Sequence, residues 1–112
     1  MENQNHARKL PVFTIEGTDF YVDTRLNEFR EVDAPWNRIS MYELSEGEGG
    51  LSGLVYDTLK KNVYEEIIDP DNIPPHVRLV IVPPLKELDP VGLARAYGLP
   101  DNEFTHKKGK RI

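Results

Sequence analysis

Two stretches of this chain share one outline, Phe20 to Glu31 (FYVDTRLNEFRE) and Leu54 to Glu65 (LVYDTLKKNVYE), and the shared outline constrains the fold more than any other feature. In each, three largely apolar residues run into Asp-Thr, three mostly polar residues follow, and an apolar residue then leads to a glutamate two positions on. An Asp side chain at a strand end accepts hydrogen bonds from nearby backbone N–H groups, and Thr does so more weakly, so the pair closes a turn. Each stretch therefore reads as a β-hairpin, with Asp23 and Asp57 as turn formers rather than catalytic carboxylates or metal ligands.

The rest of the chain extends that pattern. Pro11 to Ile15 is rich in strand formers, Glu16-Gly17-Thr18-Asp19 is a turn, and Phe20 to Asp23 with Glu28 to Val32 completes a three-stranded meander. Asp33 to Arg38 (DAPWNR) is a loop broken by Pro35, and its Trp36 is either a core anchor, the favoured reading, or an exposed partner contact. Ile39 to Leu44 alternates as a fourth strand, and Ser45 to Gly50 (SEGEGG) reads as a mobile acidic loop. Residues 51–68 also carry apolar residues at helical spacing, but Gly53, the β-branched residues and the central Asp-Thr favour the hairpin. After a turn-rich connection at 69–75, Val77 to Val82 (VRLVIV) is the most continuous apolar run and is expected to be a central strand covered on both faces. Pro83-Pro84 ends it, and Asp89-Pro90 then signals an N-cap and first helical position for a short helix through Tyr97 that stops at Gly98.

Together these elements predict an α+β domain, mainly an antiparallel sheet of six or seven strands built from hairpins, with one short C-terminal helix packed on it. Residues 10–104 form the single globular domain, flanked by a disordered arm at 1–9 and a basic disordered tail at 105–112. The expected core is Val12, Phe20, Val22, Phe29, Ile39, Val63, Leu79, Ile81, Leu93 and Ala94, with either Val77 or Val80 facing a second layer.

Composition narrows function by exclusion. The chain has no cysteine, which removes thiol nucleophiles, disulfides, Cys-ligated zinc and iron–sulfur clusters together. No apolar run is long enough to cross a bilayer and the first residues lack the apolar core of a signal peptide, so a soluble cytoplasmic protein without membrane partners is expected. The net charge is −5, and because the tail holds four of the fourteen basic residues and no acid, residues 1–104 carry −9. Such a body repels phosphate backbones, so no direct nucleic-acid binding by the folded part is expected.

Catalytic signals are weak. His6 and His106 fall in the arms, and His76 has no serine, second histidine or glycine-rich nucleotide motif beside it. Asp69-Pro70-Asp71-Asn72 lacks the spacing of a calcium loop, so no catalytic residue, metal ligand or cofactor is assigned. The favoured reading is a small non-catalytic protein-interaction domain whose partner is another protein and in which homo-oligomers are open. Its contact residues are proposed to be Trp36, Tyr42, Glu43, Glu46 and Glu48. The alternative is an acidic decoy whose carboxylates imitate a nucleic-acid backbone in the groove of a DNA- or RNA-binding protein; an enzyme with an acid-based site comes third.

One run of residues, Leu10-Pro11 to Glu16-Gly17-Thr18-Asp19-Phe20-Tyr21-Val22-Asp23 and on through Arg30-Glu31-Val32-Asp33-Ala34-Pro35-Trp36-Asn37-Arg38-Ile39, resembles small accessory proteins carried on bacterial mobile elements. The resemblance covers roughly the first third of the chain. It implies a bacterial plasmid or phage-like context and carries over no functional residue.

Overall fold

The computed structural model describes residues 8–105. The arm and the tail expected at the two ends therefore lie largely outside the described residues.

The first four strands, β1 (Val12–Ile15), β2 (Thr18–Asp23), β3 (Glu28–Glu31) and β4 (Arg38–Ser40), form an antiparallel meander in sequence order. Ile15 faces Thr18 across a two-residue turn in which Glu16 and Gly17 have φ 48° and 83°. Positive φ at both turn positions matches the right-handed twist of the flanking strands, and glycine takes it without a Cβ clash. Between Asp23 and Glu28 the loop is closed as its sequence implies, with the Asp23 carboxylate accepting the Leu26 N–H at 3.0 Å. Strand alternation sends Phe13, Ile15, Phe20, Val22, Phe29 and Ile39 to one face. The opposite face is polar, and there Arg30 bonds both Asp23 and Glu28 at 3.0 Å.

A 3-10 turn at Met41–Glu43, capped by Ser40 accepting from the Tyr42 N–H, leads the chain out of this sheet. The second sheet holds β5 (Ser45–Glu46), β6 (Ser52–Asp57), β7 (Asn62–Val63) and β8 (Val77–Val82). Strand β6 is its centre: β8 pairs along its whole length on one side, and β5 and β7 pair with its two ends on the other. The second Asp-Thr stretch is thus a hairpin and not a helix, since the Asp57 carboxylate accepts the Leu59 and Lys60 N–H groups at 2.9 and 3.1 Å. Both hairpins place the last loop residue, Asn27 or Lys61, at φ 57°. The repeat seen in sequence is a repeat of backbone conformation. Two short helices, α1 (Leu85–Leu88) and α2 (Pro90–Ala96), follow.

The α+β, antiparallel architecture matches the expectation, with its eight strands divided over two sheets. One core lies between them, made of Ile15, Phe20, Val22, Phe29 and Ile39 from the first sheet and Leu54, Tyr56 and Val82 from the second. Burial of each such side chain contributes about 1.5–3 kcal/mol, and the Phe20 and Tyr56 rings add an edge-to-face contact at 6.5 Å. Asparagines tie the sheets at one side: Asn62 Nδ2 donates to Asn37 Oδ1 and the Arg38 carbonyl, and Asn37 Nδ2 donates to the Lys61 carbonyl and to Glu31.

Several expected placements are corrected. Strand β8 is an edge strand whose outer face is open over most of its length: Val82 is buried on the face that meets the first sheet, whereas Leu79 is 70% and Ile81 55% exposed. Val77 is also buried, at the start of the strand, and Val80 is half-buried. Val12 points to the open face of β1 and is exposed, and Val63 and Leu93 are only half-buried. Trp36 is not a core anchor, for it is 81% exposed on the loop between β3 and β4. Residues 45–50 are not an irregular loop throughout, since Ser45 and Glu46 pair with Gly53 and Ser52.

Candidate functional site

Where the two sheets part, a groove of about 550 Å³ opens between the segment around Met41–Glu46 and the two helices. The sequence builds it from breaks in regular structure. Pro83-Pro84 cannot continue the β8 ladder, so the chain turns there into α1, and Pro90 starts α2 behind its Asp89 cap. Phe29 and Val82 form the floor, Met41, Leu44, Leu85 and Leu88 line the sides, and all of them belong to or pack on the core. Tyr42 on one side and Tyr97 on the other are 87% and 69% exposed. The groove is thus apolar inside and flanked by amphipathic rings.

Helix α2 is held beside the groove by a buried carboxylate. Asp89 accepts the Gly92 N–H at 3.0 Å as the helix N-cap, accepts the Thr24 hydroxyl at 2.7 Å from the first hairpin, and is paired with the Arg8 guanidinium. The approach is so close that a Cβ on Gly92 would collide with an Asp89 carboxylate oxygen. At the other end the Gly98 and Leu99 N–H groups bond back to the Arg95 and Ala94 carbonyls, with Gly98 at φ 72°, which stops the helix as its sequence implies. Leu93 and Tyr97, one turn apart, then face the groove together.

The charge around this opening is one-sided on the β5 flank. Glu43, Glu46 and Glu48 are exposed and form no ion pair among the described residues, and no lysine or arginine occurs between residues 39 and 59. Lys86 stands on the helix flank. Of the residues proposed for partner contact, Tyr42 and Glu46 line the groove, and Glu43 and Glu48 are their near neighbours in sequence. Trp36 is not brought to them, because β4 separates its loop from the Met41 turn, pairing Arg38 with Arg30 at one end and Ser40 with Glu28 at the other. Leu93 was expected in the core and Tyr97 only as the end of the helix, so neither was foreseen as a site residue; only the exposed polar end of a tyrosine at the helix stop hints at another role.

His76 has a structural setting. Its carbonyl accepts both the N–H and the hydroxyl of Thr58 at 2.8 Å, and its ring meets Tyr64 edge-on at 5.9 Å with Asp57 at 3.9 Å. Among the described residues no three His, Asp or Glu side chains gather as metal ligands, and no helix is long and apolar enough to cross a membrane. Compared with protein-family models, curated proteins and solved structures, the chain matches none.

Proposed function

We infer that this protein is a small interaction domain that docks another protein on the groove between the Met41–Glu46 segment and α2. The observation that carries the reading is the pairing of an apolar groove with two largely exposed tyrosines, Tyr42 and Tyr97, on its two flanks. Rigid amphipathic rings beside an apolar depression are the typical anchors of binding hot spots, because they bury large area at small entropic cost. The alternative of an acidic decoy draws support from Glu43, Glu46 and Glu48, which form no ion pair among the described residues. Against it, Asp23 and Glu28 on the open face of the first sheet are tied up by Arg30 and Arg38, so positive charge interrupts the carboxylates there.

Affinity capture with the full chain, compared with a Tyr42→Ala/Tyr97→Ala variant, tests the reading. Both side chains are exposed, so the variant is expected to fold. A protein retained by the wild type through high salt and lost by the double variant is the expected result, with Trp36→Ala leaving capture unchanged. Retention that ignores both tyrosines and disappears at modest salt would instead favour carboxylates acting as a phosphate mimic.

A further inference from the structure

We propose that the free edge of β8 is a self-association surface, on which a second copy of this chain adds its own β8 antiparallel about a two-fold axis at Val80. This surface is separate from the tyrosine-flanked groove and does not depend on it.

The argument starts from where the backbone groups point. Val55 faces Leu79 in the β6–β8 register, and the Val55 carbonyl accepts the Tyr64 N–H on the opposite side of β6. One pair beyond the strand ends, the Thr58 N–H donates to the His76 carbonyl. Hydrogen-bonded and non-bonded pairs alternate along an antiparallel ladder, so Arg78, Val80 and Val82 bond to β6 while Leu79 and Ile81 turn their N–H and C=O outward. No strand among the described residues pairs with that outer edge. Val77 also points outward, but its N–H is already given to the Pro74 carbonyl.

Edge strands are normally blunted by proline, lysine, a bulge or a cover. Here Leu79-Val80-Ile81-Val82 has none of these, and Leu79 and Ile81 are largely exposed. A two-fold axis through Val80 sets Leu79 against Ile81 of the other copy, twice, and uses both outward groups of both residues. An axis at Leu79 would instead set Ile81 against Val77, whose N–H is taken. The chosen register also ends at Pro83, which has no N–H to lose. Charge permits the approach: the chain is acidic overall, yet β8 contains no acid, and its one charge, Arg78, falls opposite Val82 and away from its own copy. A six-residue edge buries less than the roughly 800 Å² per partner of a stable complex, so the dimer dissociates on dilution, with a constant on the order of 10–100 μM.

Sedimentation equilibrium of the full chain from about 1 μM to about 1 mM tests this. The expected result is a monomer at the low end and a dimer at the high end, with no larger species because pairing consumes the edge. Ile81→Lys and, separately, Leu79→Lys should each weaken the dimer at least about tenfold by placing a charge against an apolar side chain of the other copy. Both residues are exposed, so either variant is expected to fold. A monomer throughout the range would overturn the proposal, and so would a dimer indifferent to both lysines or one abolished by Tyr42→Ala/Tyr97→Ala.

Discussion

Tyr56 shows how one residue can serve the core and strain it together. Its ring sits between the sheets against Phe20, but its hydroxyl is buried without a well-formed hydrogen bond, Thr18 being the side chain that comes near it. Burial pushes the phenol up to about 12; Thr18 opposes the shift and the charges of Glu31, Glu16 and Asp57 reinforce it. An unpaired buried hydroxyl costs about 1–3 kcal/mol, so Tyr56→Phe should leave stability unchanged or raise it by about 1 kcal/mol in urea unfolding near neutral pH. The pH dependence has a definite sign. In the unfolded chain the phenol titrates near 10.0, so between that value and about 12 only the unfolded state releases the proton. The stability the neutral phenol protects is therefore complete below pH 10 and is lost as pH rises towards 12. Urea unfolding at about pH 8 and about pH 11 should show a loss in the wild type that is smaller in the Phe variant. Equal losses in the two proteins would remove this account of the buried phenol.

At the scale of elements, α2 depends on its start more than on its length. Seven residues form a marginal helix alone, and Asp89 links this one to the first hairpin through Thr24 and to the chain start through Arg8. Replacing a helical glycine by alanine ordinarily stabilises by about 0.5–1 kcal/mol. At Gly92 the sign should reverse, since the new Cβ would displace a carboxylate pinned from three directions. Chemical denaturation of Gly92→Ala should show a loss of about 1–3 kcal/mol, and a gain would contradict the Asp89 lock. The cap itself was legible, because Asp-Pro before an apolar run and Gly after it are local signals. The hairpins were legible for the same reason: an aspartate closing its own turn needs no distant partner. What the sequence did not disclose is non-local. Nothing near Asn62 says that it will bridge to Asn37, and nothing near Thr24 says that it will meet Asp89. Trp36 is the plainest case, since the side chain with the greatest apolar area stands in solvent while smaller residues fill the core.

At the scale of the molecule, the consequential placement is that of β8. VRLVIV reads as a doubly covered strand because both of its faces are apolar, and a continuous apolar run does not reveal how many neighbours a strand has. At the edge of the second sheet the same residues divide their work. Val82 closes the core and floors the groove flanked by Tyr42 and Tyr97, while Leu79 and Ile81 present an open edge and an apolar outer face. The first sheet supplies a polar outer face on which Asp23 and Glu28 are paired to arginines, so the two surfaces available for contact both stem from where β8 lies. The contact residues were half legible for this reason. Tyr42 and Glu46 were among the contacts proposed from the sequence, but Leu93 and Tyr97 join them only because Pro83-Pro84 turns the chain back at the end of β8.

Amide hydrogen exchange along β8, measured at a concentration low enough to keep the protein monomeric, tests that placement most directly. The account predicts alternation: the Arg78, Val80 and Val82 amides, bonded to β6, exchange slowly, while the Leu79 and Ile81 amides on the free edge exchange fast. Uniform slow exchange from Arg78 through Val82 would mean that a strand covers the outer edge, and would contradict both the edge position of β8 and the surfaces derived from it.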